Sequence, residues 1–279
     1  MDSFDWSDAY VTYGGWDLAD LTLGQFKTPA ERSFTVPQMK FPLCEWPRSA
    51  GVLGNDRDWG LMIHDERRSG GRYGWKVGVF NGDGMNRPHS RSNVLCTGRV
   101  DYAATPNLTV GAGYSYDNNT YGNRYRGFLK SNKDPYGVLA LYKARAVDEE
   151  LWTLDAHYED DHARVFVGYL RMDLSGPQAG LPAADDWYAI GGWKIPCHHD
   201  PEGLEAVLGI EGFDANTDVS DVLDARFCTI GFNWRPHGTQ KGRSFFDQLR
   251  VQYCVRDERG APDVANNSLV FQYDMSWKY

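Results

Sequence analysis

The last eleven residues of the chain alternate without a break. Leu269, Phe271, Tyr273, Met275, Trp277 and Tyr279 share one parity, and Val270, Gln272, Asp274, Ser276 and Lys278 share the other. Successive side chains of a strand point to opposite faces, so this segment is a strand with one apolar and one polar face. About 11 residues is also the length of a tilted strand that crosses a bilayer.

The alternation recurs upstream. Leu108, Val110, Ala112, Tyr114 and Tyr116 alternate with Thr109, Gly111, Gly113 and Ser115. Trp152, Leu154, Ala156 and Tyr158 alternate with Thr153, Asp155 and His157, and Cys228, Ile230, Phe232 and Trp234 with Thr229, Gly231 and Asn233. Leu249, Val251, Tyr253 and Val255 do the same against Arg250, Gln252 and Arg256. In all, the pattern predicts about thirteen strands, near 8–14, 20–27, 57–66, 72–81, 93–103, 107–117, 150–159, 162–172, 186–195, 203–213, 225–235, 245–256 and 267–279. Tight turns such as Ala104-Thr105-Pro106-Asn107 alternate with long connections at 29–56, 81–92, 118–148 and 174–185. Residues 1–279 therefore read as one all-β domain, a transmembrane antiparallel up-and-down β-barrel of about 13–14 strands. Residues 29–56 form a constricting loop and 118–148 a long outer loop. With both ends of such a barrel on the periplasmic side, an odd count implies further strands before residue 1 and a whole of sixteen.

Two features favour a barrel over a soluble sandwich. The polar parity is rich in Gly, Ser, Thr, Asp and Arg, as for a wet lumen, and the apolar parity tends to finish in Tyr or Trp, as for aromatic girdles in lipid. Composition agrees, since aromatics reach 14% while mean hydropathy is only -0.55. No run of 18 apolar residues exists, which excludes a transmembrane helix and leaves a barrel open. The net charge of -9 argues against nucleic acid as a partner. The five cysteines, Cys44, Cys96, Cys197, Cys228 and Cys254, are scattered and match no zinc or disulfide framework. Nothing after Met1 resembles a leader, so an exported chain would be numbered here from inside a processed or truncated precursor.

Several segments resemble the phosphate-selective porin O/P family. Asp8-Ala9-Tyr10-Val11-Thr12-Tyr13 followed by Leu23-Gly24-Gln25-Phe26-Lys27-Thr28-Pro29 is similar to one of its conserved openings, with Ala30 where that family has an aromatic residue. Arg57-Asp58-Trp59-Gly60-Leu61-Met62-Ile63-His64 and Gly78-Val79-Phe80-Asn81-Gly82-Asp83-Gly84 resemble two more of its segments, and Arg99-Val100-Asp101-Tyr102 and Gln272-Tyr273 also fit. The resemblance implies a sixteen-stranded, usually homotrimeric channel in the Gram-negative outer membrane. It would carry phosphate or other small anions, be bounded by lipid and lipopolysaccharide, and have additional strands before the first of these motifs.

A pore that prefers anions needs Lys and Arg on its wall and constriction. Inward parity places Lys76, Arg99, Arg250 and Arg256 on the lumen side. The 29–56 loop carries Arg32, Lys40 and Arg48, with Lys27 and Arg57 at its ends, and is rich in Phe, Pro and Trp. Arginine suits phosphate through its paired, coplanar donors. The alternative is that these are ordinary loop charges facing water or lipopolysaccharide, and Asp101, Asp155 and Asp274 would offset part of the field. No cofactor, metal or catalytic group is expected. Asp155 and His157 share a face, but a polar lumen makes such pairs by chance. Cys197-His198-His199-Asp200 holds ligand types whose side chains point in different directions, and Asp214-Ala215-Asn216-Thr217-Asp218 has Val219 where a calcium loop needs glycine. The leading reading is a passive porin and not an enzyme. A scaffold barrel with an occluded lumen that binds a partner protein is the alternative, and a soluble all-β binding protein the third.

Overall fold

The computed structural model describes residues 6–47, 50, 53–54, 57–66, 70–86, 93–119, 147–175, 183–196, 203–214, 217, 224–236, 245–258 and 267–277. These form strands β1 (Ala9–Tyr13), β2 (Asp20–Lys27), β3 (Arg57–Asp65), β4 (Tyr73–Phe80), β5 (Leu95–Ala103), β6 (Leu108–Asn119) and β7 (Val147–Glu159). β8 (Ala163–Ser175), β9 (Ala184–Ile195), β10 (Leu204–Asp214), β11 (Asp224–Trp234), β12 (Phe245–Glu258) and β13 (Ser268–Trp277) follow. Each strand pairs antiparallel with its sequence neighbours in one 13-stranded sheet. Every strand expected from the alternation is present, most within a few residues of its expected bounds. The sheet is open, because β1 and β13 do not pair with each other among the described residues.

The register shows how the two parities were sorted. Val110, Ala156, Val167, Ala189, Ile210 and Cys228 form one continuous row across β6 to β11. All of this row lies on the face that carries the exposed apolar side chains. Phe271 is 67% exposed, with Tyr273, Leu154, Ile230, Trp59 and Trp193 also on the surface. The apolar stripes therefore do not meet in a sandwich core; they form the outside of the sheet. A continuous belt of this kind has to be covered, and in a barrel it faces hydrocarbon. Leu154, in the middle of β7, is expected to be among the most sensitive outward positions. Leu154→Arg should destabilise the folded protein in lipid by about 2–4 kcal/mol, read by denaturant titration in bilayers, while Thr153→Ser on the opposite face should change little.

Short turns close one end of the sheet. In the β7–β8 turn, Asp160 accepts hydrogen bonds from the backbone N–H groups of His162 and Ala163, each at 2.7 Å, and from the Tyr158 hydroxyl at 2.6 Å. The Tyr158 hydroxyl and then the two N–H groups stabilise the charged carboxylate, which lowers its pKa from 3.8 to about 2. A depressed carboxylate adds stability that is fully present above its unfolded pKa and is lost as pH falls through the folded one. Asp160→Asn should therefore narrow the gap between unfolding midpoints at pH 7 and pH 2.5, measured in the same detergent.

The long β2–β3 connection turns inward. It contains a one-turn helix, α1 (Arg32–Thr35), and a 3₁₀ turn at Gln38–Lys40. Glu31 caps α1 by accepting from the N–H of Ser33 (2.9 Å) and of Phe34 (2.6 Å) and from the Ser33 hydroxyl. Glu31 is buried, and desolvation raises its pKa despite these donors. Phe41, Leu43 and Leu53 of the connection pack against Leu151, Phe166, Leu170, Met172, Tyr188, Ile190, Val207, Phe213 and Phe227, all on the inner parity of β7 to β11. The inner face is thus not uniformly polar. From β7 to β11 the connection covers an apolar cluster on it.

Candidate functional site

The β2–β3 connection leaves the wall where Lys27 and Arg57 pair in register. Five residues on, Arg32 lies 3.1 Å from Asp101, close to the short Ala104–Asn107 turn at the other end of the sheet. The segment therefore runs along the inside of the wall and not over its rim. Inner-face side chains from β5 round to β12 reach it, which requires the sheet to curl around it.

Most of those contacts are made to the segment's carbonyl oxygens. Arg250 donates to the carbonyls of Gln38 (2.9 Å), Phe41 (3.3 Å) and Leu43 (2.8 Å). Gln252 donates to Pro42 O at 3.1 Å and accepts from Cys44 N–H at 2.7 Å. Asn233 donates to Pro42 O at 2.8 Å, Arg164 donates to Lys40 O, and Thr153 donates to Ala30 O at 2.8 Å. Gly113 is needed for the last approach, because a Cβ there would sit 2.0 Å from Ala30 O. The arginines are themselves neutralised. Arg250 is wholly buried with its Nε 2.9 Å from Asp274, and Glu205 accepts two 2.6 Å bonds from Arg164.

The expected cations fall into distinct groups. Arg99 is enclosed, with its side chain 2% exposed; it makes two 2.7 Å bonds to Asp155, further bonds to Asp101, and one to Ala30 O. Lys27 donates to Phe34 O at 2.5 Å and lies over the rings of Phe34 and Trp46. Arg57 pairs with Asp8 at 2.9 Å and Lys76 with Glu66 at 2.6 Å. Arg256 lies over the ring of Phe227. Lys40 is exposed, and Arg48 lies outside the described residues. Asp155 and His157 do not form a proton-relay pair: Asp155 is taken up by Arg99, while His157 stacks on Phe166 at 4.3 Å and contacts Arg32. The Cys197–Asp200 stretch is outside the described residues. Sequence reasoning missed Arg164, Asn233, Gln252 and Glu205, whose partners are backbone atoms or residues distant in sequence.

Space remains on the side the segment leaves uncovered. A cavity of about 660 Å3 is lined by Asp8, Lys27, Arg57, His64, Glu66 and Lys76, among others. It touches both Arg57, at the first residue of β3, and Glu66, just past its last, so it runs the length of that strand. A second, of about 480 Å3, is lined by Arg32, Asp65, Glu66, Lys76, Arg99 and Asp101 and shares Thr35, Pro37, Glu66 and Lys76 with the first. Five expected cations (Lys27, Arg32, Arg57, Lys76, Arg99) thus border the same space as four carboxylates (Asp8, Asp65, Glu66, Asp101).

Among solved structures, outer-membrane expressed OmpT of Vibrio cholerae superposes with a TM-score of 0.55 at 14% identity, over 94% of this chain and 77% of that one. A porin superposes with a TM-score of 0.52 at 13% identity, over 97% and 80%. The fold is that of outer-membrane β-barrels. No family model and no curated protein sequence matches the chain. The likeness is therefore one of fold, and these comparisons do not show the phosphate-selective porin family that the sequence motifs resemble. In these terms the outward apolar face is the lipid face of the barrel, and the two connected cavities lie on its lumen side.

Proposed function

We propose that the chain forms the wall and internal constriction of a narrow porin in a Gram-negative outer membrane, through which small hydrophilic solutes, anions included, diffuse passively. The observation that carries this is the cavity along the whole of β3, bordered by lysine and arginine on the lumen side. A pore with five cations and four carboxylates on its lining has a small net positive bias, which favours anions weakly. The motifs similar to phosphate-selective porins make phosphate the first anion to test and a homotrimer the expected assembly. Lipid and lipopolysaccharide bound the outside.

The test is planar-bilayer recording of the purified protein in a salt gradient. Open-channel current with a reversal potential on the chloride side, and partial block by phosphate, is the expected result. One observation favours a second reading, an occluded scaffold barrel: the 28–47 segment shares a continuous apolar core with β7 to β11. Bilayers that stay silent with protein shown to be folded would decide for the scaffold.

A further inference from the structure

The four described cysteines divide by face. Cys96 and Cys228 are exposed on the outer, lipid-facing parity, whereas Cys44 and Cys254 are both buried on the inner side. Cys44 belongs to the lumen segment and Cys254 to β12, 210 residues later. Both line one small cavity of about 40 Å3, together with Trp46, Phe227, Gln252 and Val270. The backbone on the Cys44 side is already held against β12, since its N–H donates to Gln252 at 2.7 Å. Gln252 and Cys254 are two apart on one strand, so both point inward from the same stretch of wall. A disulfide between them needs a Cβ separation of about 3.5–4.5 Å.

We propose that Cys44 and Cys254 are a modification site: a disulfide closes between them and fastens the lumen segment covalently to β12. Exported proteins pass through a thiol-oxidising compartment, and the oxidant required is a disulfide-bearing carrier. A thiolate of the pair attacks the carrier's disulfide, one carrier thiol leaves, and the second cysteine thiolate displaces the other. The two protein thiols lose two electrons and two protons, a sulfur–sulfur bond forms, and the carrier is reduced to two thiols. Burial, aided by Asp274 and Glu45 and opposed by Arg250, pushes the Cys44 thiol up to about 11. A docked segment is therefore slow to react, so the exchange belongs to assembly, while water still reaches Cys44. Once the strands are in place the outward cysteines Cys96 and Cys228 no longer reach Cys44, because the sheet lies between them and the inner cavity.

The inference is independent of which solute passes. It is tested on the full chain isolated from outer membranes under acid quench, then unfolded and alkylated before and after reduction, with peptide mapping. Three of the five cysteines alkylated before reduction and all five after, with a Cys44–Cys254 linked peptide, is the expected result. Five alkylated without reduction, or Cys44 linked instead to Cys96, Cys197 or Cys228, overturns it. As a second readout, reduction should make the segment at least several-fold more susceptible to added protease. Cys254→Ser should show that susceptibility without reduction; a reduced protein as resistant as the oxidised one sinks the fastening role.

Discussion

Arg250→Ala is expected to raise single-channel conductance by about twofold or more, because it removes the donor that holds three segment carbonyls at once. The guanidinium is wholly enclosed and offset by Asp274. Its removal leaves Asp274 with an uncompensated charge and takes this donor from the Phe41 and Leu43 carbonyls, while Gln38 O keeps the N–H of Phe41. Breaking a buried ion pair from one side typically costs about 3–5 kcal/mol, so the variant should also unfold at clearly lower denaturant. The two effects are separable. Arg250→Met combined with Asp274→Leu removes both charges and keeps volume, which tends to leave stability near the parent value. That double variant still lacks the clamp, so its conductance should stay high. A double variant that conducts like the parent would mean the segment is held without Arg250, by its apolar core and its remaining hydrogen bonds.

The second large effect concerns charge. Arg99→Gln should shift the channel from weak anion preference to cation preference, seen as a change in sign of the reversal potential in a salt gradient. Arg99 is the counter-ion of both Asp155 and Asp101. Without it two carboxylates face the smaller cavity, with Arg32 bound to only one of them. The lining count then moves from five cations against four carboxylates to four against five, since Asp155 is released toward the cavity. A positive charge restored nearby, as in Gly111→Lys, would not serve as rescue, because a Cβ at Gly111 would still lie 2.6 Å from the Asp101 carboxylate once Arg99 is replaced. The conservative Arg99→Lys is the better control: it keeps the sign of selectivity and loses the paired bonds to Asp155.

The strand plan was legible because a sheet between lipid and water imposes a period of two on every strand. β13 shows it most fully, with Phe271 and Tyr273 outward and Gln272 and Asp274 inward. The contents of the lumen were legible only in part. The phenylalanines, prolines and tryptophan of the β2–β3 connection signalled a segment that folds inward. What it packs against was written in β8, where Val165, Val167 and Tyr169 face out while Phe166, Leu170 and Met172 face in. A strand apolar on both faces is covered on both, but periodicity alone does not say by what. The role of Arg250 was hidden for another reason. Its partners are backbone carbonyls some two hundred residues away, and backbone atoms leave no mark in a residue pattern.

Those carbonyls have a consequence for how such a channel can change over generations. Arg250, Gln252, Asn233, Arg164 and Thr153 grip oxygens at Ala30, Gln38, Lys40, Phe41, Pro42 and Leu43, and every amino acid carries the same oxygen. Side chains of the segment that face the open space are therefore free to be exchanged while its path stays anchored. A lineage could retune what it admits by rewriting a few exposed positions, with the scaffold that holds them left untouched.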